Sequence, residues 1–154
     1  MMQIEEPHDF VGNAIFCDDI RSEVDQKASY IGVYTSSIML VHSEFPVTIP
    51  KFGIAITFAQ KRELFVQNIG IRIFLPGDTD EKASVEADSA QLTMPPIEET
   101  FPMILIGAQM IFSPLVIGQA GEIKVRVVRE GILHRIGTLS VRSSLSGMTP
   151  SPTS

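Results

Sequence analysis

A chain of 154 residues, 44% of them apolar, has the material for one domain with a buried core. Its formal charge of −6 gives no large basic footprint of the kind that wholesale nucleic-acid binding needs. A single cysteine, Cys17, excludes an intrachain disulfide.

The first residues, Met1 to His8, are acidic and lack the basic and apolar regions of a signal peptide. No apolar run approaches the roughly twenty residues that span a bilayer. The expected location is cytoplasmic, with no transmembrane segment and no nucleic-acid partner.

In chain order, strands are expected at 11–18, 28–34, 36–41, 51–59, 64–75, 103–112, 121–129 and 133–142, because apolar residues recur with period two. Phe52, Ile54, Ile56 and Phe58 share one face; so do Ile69, Ile71, Ile73 and Leu75, and so do Ile123, Val125 and Val127. Pro76-Gly77-Asp78 marks a turn, and Glu130-Gly131 reads as a hairpin of open register. Segment 82–93 fits a helical turn or an irregular strand equally. Residues 1–10 are expected to be a flexible N-terminus, 11–142 the domain, and 143–154 a disordered Ser/Thr/Pro-rich tail. The pattern predicts an all-β protein: a single antiparallel β-sandwich of about eight strands, C2-like or immunoglobulin-like, with an open barrel as the alternative.

One stretch is more particular. Cys17-Asp18-Asp19-Ile20-Arg21 closes the first strand, and Lys27, Ser29, Ile31, Gly32, Val33 and Tyr34 follow after a short turn. This run resembles an uncharacterised bacterial family, a domain of unknown function. Weaker echoes are Phe45-Pro46, the Pro-Gly-Asp turn at 76–78 and the hairpin from Gly121. The resemblance spans about residues 11–142 and implies a fold, with no reaction or ligand attached. Gln26 departs from it, since relatives tend to carry Gly before the Lys. If that turn needs positive φ, Gln26 costs about 1 kcal/mol.

Four groups of residues are candidates for function. Cys17 would need a neighbouring cation, His or helix N-terminus to become a nucleophile. Asp18 and Asp19 work against that, so it reads as a buried structural thiol. Asp18, Asp19, Arg21, Glu23, Asp25 and Lys27 read as a structural ion-pair cluster, with Arg21 expected to anchor it. The alternative is a calcium site built from Asp18, Asp19, Asp78, Asp80 and Glu81. Lys124, Arg126, Arg129 and Arg135, with Arg142 and His134 nearby, could form a basic contact face. The region from Met94 to Pro102, together with Ile111 to Ile117, could form an apolar one.

No nucleophile elbow, Walker motif, dinucleotide fingerprint or zinc-ligand spacing is present. The expected function is a non-catalytic binding or structural module, acting through a protein partner or self-association and needing no cofactor. The alternative is a C2-like ligand- or calcium-binding module.

Overall fold

The computed structural model describes residues 3, 9–40, 44–66, 68–88 and 102–144. Eleven strands fill most of them: β1 (Phe10–Ser22), β2 (Ala28–Tyr34), β3 (Ser37–Leu40), β4 (Val47–Ile49), β5 (Phe52–Lys61), β6 (Ile69–Phe74), β7 (Val85–Asp88), β8 (Met103–Phe112), β9 (Leu115–Ile117), β10 (Gly121–Arg129) and β11 (Ile132–Ser143). They form a four-stranded sheet in the order β2-β1-β5-β8, a five-stranded sheet in the order β3-β11-β10-β6-β7, and a separate β4-β9 pair. Every pairing is antiparallel except β3 with β11. The all-β reading holds, as open sheets and not as a closed barrel.

The inward faces follow the period-two pattern. Phe52, Ile54, Ile56 and Phe58 of β5 meet Ile69, Ile71 and Ile73 of β6 and Ile123, Val125 and Val127 of β10 in one core. Each of these side chains is buried. Full burial of one such side chain contributes about 1.5–3 kcal/mol, so the core explains why a chain with few helix signals folds as stacked sheets.

The two sheets approach most closely where β1 passes β11. A side chain starting at Gly137 would stand 2.8 Å from Ala14 Cβ, and one at Gly12 would stand 2.9 Å from Ile136. The absence of Cβ atoms sets this spacing.

Three short strands, β4, β7 and β9, exceed the eight expected. Each has only three or four residues, too few to show a period. β7 resolves segment 82–93 in part, and the rest of that segment lies outside the described residues. The expected strand 64–75 begins only at Ile69, after a short turn at Arg62–Leu64. The N-terminus, apart from Gln3, Asp9 and Phe10, and the tail beyond Ser144 lie outside the described residues.

Two hairpin turns set the registers. Glu130 and Gly131 adopt φ 51° and 74° between the paired Arg129 and Ile132, the mirror-image turn whose twist matches that of the strands. Between β1 and β2, Asp25 and Gln26 adopt φ 59° and 60°, and Lys27 N–H closes on the Val24 carbonyl at 3.4 Å.

Candidate functional site

The residues of the opening run come together, and most of their contacts serve the β1–β2–β5 junction. Cys17 is wholly buried, and its Sγ lies 3.7 Å from the Gly53 carbonyl. Burial pushes its thiol upward; the Asp19 backbone N–H opposes this, while the charges of Asp18 and Asp19 add to the rise. That is the opposite of an activated nucleophile.

Asp18 Oδ1 accepts the Tyr34 hydroxyl at 2.5 Å. Desolvation, and then this bond to a carboxylate, push the Tyr34 phenol up to about 12. Gly32 sits opposite Asp18 in the ladder, at φ +64°, and leaves the space that the Asp18 carboxylate occupies.

The expected ion-pair cluster is rearranged. Asp19 pairs with Lys51 Nζ at 2.6 Å and with Arg21 Nε at 3.5 Å. Contact with Lys51, ahead of the opposing effect of burial, holds the Asp19 carboxyl below its ordinary range. Lys51 is therefore the near partner. It was not legible in the sequence, because it arrives from the residue just before β5, and the Arg21 side chain is 67% exposed. Glu23 accepts a hydrogen bond from Ser29 at 2.9 Å. Asp25 serves as a turn residue, and Lys27 forms no ion pair among the described residues.

The two acidic turns do not merge into one site. Asp78 Oδ2 accepts three hydrogen bonds, from Leu75 N–H at 2.8 Å, Ser84 N–H at 2.9 Å and the Ser84 hydroxyl at 2.6 Å. Burial tends to raise the Asp78 carboxyl, but the Ser84 and Leu75 bonds outweigh it and leave the carboxyl below its ordinary range. Asp78 and Asp80 line a depression of about 210 Å³ with Gln119, Glu122 and Lys124; Asp18, Asp19 and Glu81 do not reach it. Among the described residues no three His, Cys, Asp or Glu side chains converge as metal ligands.

The residues expected to form a basic face divide between the two sides of the sheet. Lys124 and Arg126 alternate with the buried Ile123, Val125 and Val127, and so face away from the core. Arg135 stands opposite Arg126 in the ladder, and exposed Arg142 alternates with buried Val141 and Ser143. Arg129 has the inward parity. Its Nε donates to Gln60 Oε1 at 2.7 Å, and its guanidinium also bonds the Leu64 carbonyl. Gln60 is wholly buried at the end of β5, so Arg129 ties one sheet to the other and leaves the contact face. His134, opposite buried Val127, also turns inward and packs its ring 4.5 Å from that of Phe10.

The apolar candidate surface divides. Leu115 and Ile117 are core residues, while Ile111 and Val116 are exposed. Residues 94–101 lie outside the described residues. A feature not foreseen is the outer face of the four-stranded sheet. Ladder partners share a face, which places exposed Val33, buried Cys17, Gly53 and exposed Ile111 in one row, and exposed Val11, Ala59 and exposed Leu105 in another. Small residues of β5 form the floor, and larger exposed ones stand on either side.

No helix among the described residues is long and apolar enough to cross a membrane. No family model, curated protein or solved structure matches the chain.

Proposed function

We propose that the protein is a non-catalytic β-sandwich module that works in the cytoplasm through protein contact, and that it belongs with the bacterial family its Cys17–Tyr34 run resembles. The contact surface in this reading is the β8 edge, where a second copy of the chain adds antiparallel to the four-stranded sheet. The observation that carries it is the character of that edge. Among the described residues β8 is a ten-residue terminal strand without a charge or a proline, and Leu105 is 60% exposed on it.

Unprotected edges invite strand pairing, and proteins usually blunt them. The other three edges of the two larger sheets, among the described residues, are blunted. β7 is four residues long and carries Glu86 and Asp88; β3 is four residues long; β2 is interrupted by Gly32 at positive φ. An antiparallel β8–β8′ pair is self-complementary about a two-fold axis and continues the apolar outer face from one copy to the next.

Light scattering across a concentration series tests this. The expected result is a dimer, converted to monomer by the double variant Leu105→Lys/Gln109→Lys, whose unfolding midpoint stays close to that of the parent because both positions are exposed. A parent chain that is monomeric at every concentration, or a variant that is equally dimeric, overturns the assignment.

A further inference from the structure

We propose that Arg126 and Arg135, on the outer face of the five-stranded sheet, form an oxyanion site that takes a phosphate monoester. The site lies on the opposite sheet from the β8 edge and is independent of it.

The chain brings these two guanidinium-bearing residues together by a local irregularity. The β10–β11 register shifts between Val125, which faces Gly137, and Arg126, which faces Arg135. Ile136 is the extra residue, and it is buried. Ile136 and Gly137 both contact β1, near Gly12 and Ala14. Arg135 is thereby set directly across from Arg126. Bulges commonly re-aim a side chain in this way.

On its other side Arg126 faces Arg72 of β6, so three arginines stand in one cross-strand row. Like charges directly opposite each other in a ladder are destabilising. Among the described residues carboxylates pair with one of the three: Arg72 pairs with Glu86 at 3.4 Å and with Asp88 at 3.6 Å, while Arg126 Nη1 donates to the Val125 carbonyl at 3.0 Å. Among the described residues, Arg126 and Arg135 have no ion-pair partner. Arg126 is also half-buried, and desolvation, followed by the Arg135 charge, disfavours its protonated form. Glu122 and Asp80 act on it in the opposite direction, more weakly.

On the four-stranded sheet, by contrast, Arg21 and Lys51 share Asp19, and Lys61 pairs with Asp9. In a chain of net charge −6, carboxylates are in excess. Arg126 and Arg135 are directly opposed like charges that share no carboxylate ion pair among the described residues, and a bound anion would supply the counter-charge.

The chemistry favours phosphate. Each guanidinium offers a planar fork of donors that fits a phosphate bidentately. Two neighbouring cations match a dianion better than a monoanion. Lys124 and Thr138, paired in the adjacent ladder row on the same face, add a further positive charge and a hydroxyl donor.

The test is an amide chemical-shift titration at fixed ionic strength with phenyl phosphate, and with benzoate as the carboxylate counterpart. Phenyl phosphate is expected to shift residues around Arg126 and Arg135 saturably, and to bind about tenfold or more tightly than benzoate. Its affinity should rise as pH passes about 6, where a phosphate monoester gains its second charge; benzoate shows no such rise.

Arg126→Gln and Arg135→Gln should each weaken phenyl phosphate by about tenfold or more, while Arg21→Gln on the other sheet leaves it unchanged. In phosphate-free buffer both variants should be at least as stable as the parent, since each removes a like-charge contact. Absence of saturable shifts, equal affinity for benzoate, or unchanged binding in the two variants overturns the proposal. Marked destabilisation of both without phosphate would identify the pair as structural and overturn it too.

Discussion

Gly32→Ala tests the packing of the opening hairpin most directly. A Cβ at this position would stand 2.1 Å from Asp18 Oδ2 and 2.8 Å from Asp18 Cγ. The carboxylate must swing away and release the Tyr34 hydroxyl it accepts at 2.5 Å. For an exposed pair that loss is about 1 kcal/mol. Holding alanine at φ +64° costs about 1–2 kcal/mol more, and the stiffer unfolded chain returns about 0.4–1 kcal/mol. The net expectation is destabilisation by about 2 kcal/mol, or roughly 4–8 °C in Tm for a chain of this size. Urea denaturation measures it.

The two substitutions should also be non-additive. In an Asp18→Ala background the carboxylate contact is already gone, and Gly32→Ala should cost about 1 kcal/mol less. An equal cost in both backgrounds would refute the steric argument. The same bond has an alkaline signature. Tyr34 is raised in the folded state to about 12, so its stabilising effect is fully present below the unfolded value of about 10 and is lost as pH climbs through about 12. In Tyr34→Phe this share of the alkaline loss should vanish.

Gln26→Gly should stabilise the protein by about 0.5–1 kcal/mol in chemical denaturation, because Gln26 holds φ 60° and glycine does so without steric cost. Arg129→Ala should destabilise by about 1–3 kcal/mol, since it strips the buried Gln60 carbonyl of its 2.7 Å donor; Arg142→Ala, exposed on β11, serves as the control with little change. Cys17 should react slowly with a thiol reagent under native conditions and rapidly once the chain is unfolded, as its burial and raised thiol require; fast native labelling would contradict the structural assignment.

Much of the fold is legible because alternation is a local property. The strands at 28–34, 103–112 and 121–129 fall where the pattern puts them, and in the last two buried residues alternate with less buried ones. β4 and β9 escape because three residues carry no period. The candidate sites are less legible, because charge partners come from other strands. Asp19 finds Lys51 across the sheet, and Gln60 finds Arg129 from 69 positions away. Strand parity alone would have separated Arg129 from Lys124 and Arg126, since an odd offset along β10 reverses the face. The Arg126–Arg135 juxtaposition was not accessible that way, because the bulge at Ile136 changes the count.

The contacts sort the chain into residues with a folding reason and residues without one. Cys17 reaches Gly53, Asp18 reaches Tyr34 over Gly32, and Asp19 reaches Lys51 and Arg21. Each of those residue types is accounted for by the junction of β1, β2 and β5, so the most particular run of the sequence is explained by architecture. Arg126, Arg135 and the uncharged β8 edge are different in kind. A like-charge pair set opposite in a ladder, and a ten-residue strand at a sheet edge that no described residue pairs with, both work against a stable monomer. Arg126 keeps a hydrogen bond to the Val125 carbonyl at 3.0 Å, but among the described residues neither arginine has an ion-pair partner and β8 has no strand on its outer side. Features that cost the isolated molecule stability are where a second molecule has something to offer, and that is the argument for proposing function at those two surfaces and not at the acidic hairpin.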